Sequence, residues 1–188
     1  MKKIGIFAGL LALSLLFSGF WSGESNSDKK QERIQESKAT LKLLYKHAPE
    51  AKKLIARSYG YATFNSGGVN LIFFSAEGGT GLAHNNKTGK NIYMNMASAG
   101  VGLGLGVKDF RIVFLFENKK VFDNFVNNGW EANAQADAAA KASKHGGAVN
   151  ASITVAPGMR IYKLTKNGLA LQATIQGTKY WKDGDLNE

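Results

Sequence analysis

The spacing of apolar residues changes several times along the chain, and each change predicts a different element. Ile4 to Phe17 is a nearly unbroken apolar run of 14 residues behind Met1-Lys2-Lys3. A helix needs about 20 apolar residues to span a bilayer. A shorter run after a basic start predicts the core of a signal sequence. Adding Gly19, Phe20 and Trp21 would lengthen it toward an anchor. Residues 1–22 are therefore expected to be a signal peptide or an N-terminal anchor. Small polar residues follow, and 23–33 is expected to be a polar linker. Next, Ile34, Leu41, Leu44, Tyr45 and Ala48 recur at helical spacing, with Lys38, Lys42 and Lys46 on another face. Pro49 breaks this segment and suits the first turn of a second helix. There Glu50 lies near the positive end, and Lys52, Lys53 and Arg57 lie toward the negative end, with Gly60 as the stop.

From Tyr61 the period becomes two. Gly100 to Val107 alternates glycine with aliphatic residues, and Phe110 to Phe116 reads as a central strand. Trp130 to Asp137 alternates, as do Val149, Ala151, Ile153 and Val155, and then Leu169, Leu171, Ala173 and Ile175. Turns are expected at Ser66-Gly67-Gly68, 85–89, His145-Gly146-Gly147, Pro157-Gly158 and Asn167-Gly168. One helix interrupts the strands. Asn118 is its cap, Val121, Phe122, Phe125 and Val126 are its apolar face, and it ends near Gly129. The fold expected is α+β: two N-terminal helices, then a curved, mostly antiparallel sheet or partial barrel with one inserted helix. Glycine on one strand face permits close approach of another chain segment and strong curvature.

Composition narrows the chemistry. With 44% hydrophobic and 20% charged residues the chain should fold. The formal charge is +10, and removing Lys2 and Lys3 with the leader leaves about +8. Such a surface favours an anionic partner: nucleic acid, anionic lipid or a polyanionic glycan. The absence of cysteine excludes disulfides, thiol catalysis and cysteine-ligated zinc. Leu16-Phe17-Ser18-Gly19-Phe20 has the form of a bacterial lipoprotein processing box, with Phe20 where the acylated cysteine would stand. Export without cysteine lipidation is expected, to the periplasm or cell envelope, and export argues against nucleic acid.

Catalytic signals are weak. Gly100, Gly102, Gly104 and Gly106 sit at every second position of an expected strand, not between a strand and a helix as a dinucleotide site requires. His47, His84 and His145 lack ligand spacing. No serine sits in a nucleophile elbow. The reading is of a non-enzyme with no cofactor and no metal.

Motifs in order along the chain resemble one family. Tyr45-Lys-His-Ala-Pro49 to Ala56 is similar to the opening helix of the SYLF domain, also called the yeast-type actin-binding domain. Gly60 to Phe64 resembles its first strand, Gly67-Gly68 its glycine pair, and Glu77 to Gly81 its glycine-rich segment. Ala97 to Val107 resembles its small-residue strand, Phe114 through Phe125 its strand-to-helix step, and Trp130 to Asp137 and Gly168 to Gly177 its last long strands. The likeness runs from about Leu41 to Leu186, so 34–186 is expected to be a single SYLF-like domain. The resemblance implies association with anionic phospholipid, and actin bundling in the yeast branch only. The expected partner is an anionic phospholipid or membrane surface, with an envelope protein as the alternative. The candidate lipid-binding residues are Lys38, Lys42, Lys46, Lys52, Lys53 and Arg57. The candidate interfacial aromatics are Tyr45, Tyr59, Tyr180 and Trp181.

Overall fold

The computed structural model describes residues 25–71, 74–100, 106–107, 110–132, 152–165, 168–169 and 177–188. Residues 1–22, expected to be a signal peptide or anchor, the run 101–105 and the alternating segment 133–151 lie outside them. Three helices are described: α1 (Asn26–His47), α2 (Ala51–Arg57) and α3 (Lys119–Asn128). The strands are β1 (Gly60–Leu71), β2 (Phe74–Asn85), β3 (Asn91–Gly100), β4 (Gly106–Val107), β5 (Phe110–Phe116), β6 (Trp130–Glu131), β7 (Ile153–Ala156), β8 (Met159–Thr165), β9 (Gly168–Leu169) and β10 (Thr178–Lys182). One sheet holds them in the order β6-β10-β3-β2-β1-β5-β8-β7, with β4 paired to β1 and β9 to β8. All these pairings are antiparallel. The sheet is a curled half-barrel, and the α+β class expected from the sequence is the one observed.

Strand alternation sorts side chains onto two faces. In β5, Ile112, Phe114 and Phe116 enter the larger core, while Val113 and Leu115 enter a second one. The larger core lies on the inner face under α3. It is dominated by aromatic rings, with Phe64, Phe114, Phe116, Phe122, Phe125, Trp130 and Tyr180 in edge and tilted contacts. The second core lies on the outer face, where Leu44 and Ala48 of α1 and Ala51 and Ile55 of α2 cover Val113, Leu115, Tyr162 and Leu164. A fully buried Leu or Ile contributes roughly 1.5–3 kcal/mol, so Leu44 and Ile55 make the helices part of the stabilised unit.

The glycines of β2 make the curl possible. A Cβ on Gly81 would lie 2.6 Å from the Thr63 carbonyl oxygen and would overlap the Phe64 ring. A Cβ on Gly79 would collide with the Asn65 carbonyl oxygen and the Met96 side chain. The missing side chains are the space that Phe64 and Met96 fill.

Several expectations are corrected. The stretch 23–33 is helical from Asn26 onward, because the Ser25 hydroxyl accepts the Asp28 N–H at 3.1 Å and caps a helix whose first turn carries Asp28. Gly60 does not end α2. That helix stops at Arg57, where the Ser58 N–H reaches the Leu54 and Ile55 carbonyls. Gly60 instead opens β1, where a Cβ would meet the His84 carbonyl at 2.6 Å and the Phe122 ring at 2.7 Å. Ser66-Gly67-Gly68 is not a turn but continues β1, pairing with Gly79, Gly78 and Glu77. The inserted helix agrees with expectation. The Asn118 side chain accepts the Val121 N–H, and Gly129 ends the helix at φ 73°. The 85–89 turn also forms, with Asn85 Oδ1 accepting from Lys87 and Thr88 and with Gly89 at φ 71°.

Candidate functional site

α1 lies across the outer face of the sheet and is held differently at its two ends. Its first half is polar and is tied by polar contacts. Asn26 donates to the Asp185 carbonyl at 3.3 Å, and the Lys30 ammonium sits 5.7 Å from the Tyr93 ring centroid. The Arg33 guanidinium donates to the Met94 carbonyl and to the Asp183 carboxylate, both at 2.9 Å. Both partners of that ion pair are 11% exposed at the side chain, so the pair is nearly enclosed. Further along, the Thr40 hydroxyl donates to Asn65 at 2.8 Å. Beyond Thr40 the contact becomes apolar, with Leu44 and Ala48 buried and Leu41 and Tyr45 packed beside them.

Burial of Ser37, Thr40 and Leu44 fixes which way α1 faces, and so turns Lys38, Lys42 and Lys46 to solvent. Burial of Ala51 and Ile55 does the same for Lys52, Lys53 and Arg57 on α2. All six candidate cations are exposed. None of them forms an ion pair among the described residues, whereas Arg33, Lys119, Arg160 and Lys179 each face a carboxylate. Residues 26–57 hold nine Lys and Arg against four Asp and Glu, so the excess charge is concentrated on these two helices.

The four aromatic candidates separate. Trp181 is 43% exposed, the exposed large apolar side chain of the described residues. Tyr45 is half-buried against the second core, and burial pushes its phenol pKa up. Tyr59 is half-buried against Phe122, at 5.7 Å between ring centroids. Tyr180 is a correction: it is 1% exposed and stands in the inner aromatic core, so it is not a surface anchor. Adjacent strand residues point to opposite faces. The pair Tyr180-Trp181 therefore had to divide, and only the pairing of β10 with β3 decided which ring went inward.

Other features were not anticipated. The Arg33–Asp183 pair joins residues 150 apart in sequence, and nothing local signals it. A cleft of about 310 Å³ opens between α1 and the ends of β1, β5 and β8, with Arg111 in its wall. Arg111 is the one charged residue in the apolar run 110–116, which was the available signal for it.

Among the described residues no group of three His, Asp or Glu side chains is placed to hold a metal ion. His84 pairs with Asn91 at 2.7 Å, and His145 lies outside the described residues. No helix of the described residues is long and apolar enough to cross a membrane.

Fold and surface together define a class: a helix-strapped antiparallel half-barrel with a strongly cationic helical face. No family model matches the chain. It is similar to beta cell expansion factor A of Aeromonas veronii, at 42% identity over 147 residues, which is 77% of this chain and 54% of that protein. The chain thus spans about half the length of that relative.

Proposed function

We propose that this protein is a non-enzymatic lipid-binding module of the SYLF type, exported to the bacterial cell envelope, that binds anionic phospholipid through the cationic face of α1 and α2. The observation that supports this is that Lys38, Lys42, Lys46, Lys52, Lys53 and Arg57 are all exposed and all without a carboxylate partner among the described residues. Side chains paired with internal carboxylates would be lost to a membrane, whereas these remain available. Each basic residue near an anionic surface contributes about 1 kcal/mol, so six contribute at most about 6 kcal/mol. That strength gives reversible association, screened by salt. The exposed Trp181 and the half-buried Tyr45 supply interfacial rings.

The test is co-sedimentation with vesicles of phosphatidylcholine alone and of phosphatidylcholine mixed with phosphatidylglycerol or cardiolipin, at low and high salt. Binding should require the anionic lipid and fall as salt rises. Replacing all six cations with Gln should abolish it without altering the circular dichroism spectrum. Equal binding to neutral vesicles, or unchanged binding by the six-fold variant, would refute the mechanism. Recovery of an envelope protein with no lipid dependence would favour an interaction domain instead.

A further inference from the structure

We propose that the cleft between α1 and the ends of β1, β5 and β8 binds the phosphoethanolamine head of a single-chain lipid, with its ammonium at Glu36, its phosphate at Arg111 and its chain along Leu43 and Leu164. This goes beyond the binding of anionic lipid, because the ligand carries no net charge and the site uses none of the six exposed cations.

The cross-strand register sets the polar groups in one row on the face under α1. Leu164 of β8 faces Arg111 of β5, Arg111 faces Asn65 of β1, and Asn65 faces Thr80 of β2. Residues directly opposite in a sheet share a face. Glu36 of α1 stands at the Thr80 end of the row, where the Thr80 hydroxyl donates to its carboxylate at 3.5 Å. Leu43 lies about two turns further along α1 and packs against the core that holds Leu164. Glu36 and Arg111 line one cleft of about 310 Å³, and both are half-buried. Their charges balance, yet neither forms an ion pair among the described residues, with the other or with any third group. Two strand spacings, about 10 Å, part Arg111 from Thr80, so the opposite charges are held apart across Asn65. The Asn65 Oδ1 accepts from Thr40 at 2.8 Å, which leaves the amide N–H groups as donors without a partner among the described residues.

Half-buried charges that balance without touching call for a ligand carrying the complementary pair. Each is costly to draw out of water without a direct partner. A zwitterion that brings an ammonium to Glu36 and an anion to Arg111 removes both costs through charge-assisted hydrogen bonds. A head with a single charge would satisfy one residue and be repelled by the other. The order along the row then chooses among zwitterions: carboxylate, amide donors, guanidinium, apolar wall. Phosphoethanolamine runs in the matching order, from ammonium through a two-carbon spacer to a phosphate diester and then to the chain. An α-amino acid holds both charges on one carbon and cannot reach both ends. The Glu36 carboxylate calls for N–H donors, which a primary ammonium has and the quaternary nitrogen of choline lacks. The volume lies at the low end for ligand pockets, enough for the head and the start of one chain.

The experiment is isothermal titration of the purified full chain with lauroyl lysophosphatidylethanolamine below its micelle concentration. The matching lysophosphatidylcholine and lysophosphatidylglycerol, and chain-free glycerophosphoethanolamine, are titrated beside it. Saturable 1:1 binding of the ethanolamine lipid is expected. The choline and glycerol lipids should bind at least about tenfold more weakly, since each loses a charged hydrogen-bonded contact. The chain-free head should also bind about tenfold more weakly or less, having no methylenes to bury against Leu43 and Leu164. Arg111→Gln should weaken the ethanolamine lipid by about tenfold or more. Glu36→Gln should weaken the ethanolamine lipid yet tighten the glycerol lipid, opposite changes that a folding defect cannot produce. Equal affinity for the ethanolamine and choline lipids, equal affinity for the chain-free head, or unchanged affinity in either variant would overturn the proposal. The six-cation variant should keep lysophosphatidylethanolamine binding, and Arg111→Gln should keep binding to phosphatidylglycerol vesicles. Loss of both activities in either variant would overturn the assignment of two separate sites.

Discussion

Replacing Gly81 by alanine tests the reason the sheet can curl. The added Cβ would stand 2.6 Å from the Thr63 carbonyl oxygen and would overlap the edge of the Phe64 ring. Rings can tilt, but the Thr63 carbonyl belongs to the β1–β2 ladder, in which Thr63 faces Leu82 and Phe64 faces Gly81. Overpacking a filled core costs about 1–3 kcal/mol, and a clash with backbone belongs at the top of that range. Gly78, three residues earlier in the same strand, is the control, since a Cβ there meets nothing within 4 Å. Gly78→Ala should be neutral or stabilising by up to about 1 kcal/mol, because glycine is the less favourable residue inside a strand. Urea denaturation followed by circular dichroism measures both. With a slope of about 1–3 kcal/mol per molar urea, Gly81→Ala should lower the midpoint by about 1 M or more, and Gly78→Ala should not lower it. Phe64→Ala alone should cost about 3–5 kcal/mol. The double variant should cost less than the sum by about 1 kcal/mol, because the new methyl group enters space the ring has left. If Gly81→Ala and Gly78→Ala move the midpoint equally, the account of the curl is wrong.

Leu44→Ala removes the fully buried anchor of the apolar end of α1 and should cost about 2–5 kcal/mol by the same assay; a loss under about 1 kcal/mol would mean that this end is not docked. Asn118→Ala deletes the cap of α3 and should cost about 1 kcal/mol, with Asn118→Gly costing less. Burial raises the Asp183 carboxyl pKa, but the Leu186 N–H, the Arg33 charge and the Asn95 side chain outweigh it and hold the group below its ordinary 3.8. A carboxyl lowered by folding stabilises the fold above its unfolded value and loses that contribution as pH falls through its folded value. Midpoints measured from pH 6 downward should therefore fall below about pH 4, and Asp183→Asn should flatten that drop; parallel curves would count against the pair.

Much of this protein could be read from local pattern. The apolar stripe and cap of α3, the exposed lysines of α1 at every fourth position, and the strand character of 110–116 all follow from period and end chemistry within a few residues. So did the α+β class, since two helical stretches followed by alternating runs leave few other arrangements. The first turns of α1 were missed because residues 26–33 carry little apolar periodicity. Their helix is stabilised by Asp183, Met94 and Asp185, far along the chain.

Alternation states that neighbouring strand residues part company, but not which of them faces inward. That is why Tyr180 and Trp181 could not be told apart; Ser66-Gly67-Gly68 read as a turn because small and glycine residues are also the local mark of a turn. The sheet register decided both, through pairings between segments distant in sequence. The amino-acid order by itself determined the class of the elements and the placement of positive charge on two helices. Tertiary structure alone decided which glycines receive a neighbour's ring, which arginine is matched by a carboxylate, and which is left facing a cleft. Helix and strand patterns arise from contacts a few residues apart, whereas pairing, burial and charge compensation here join residues separated by as many as 150 positions.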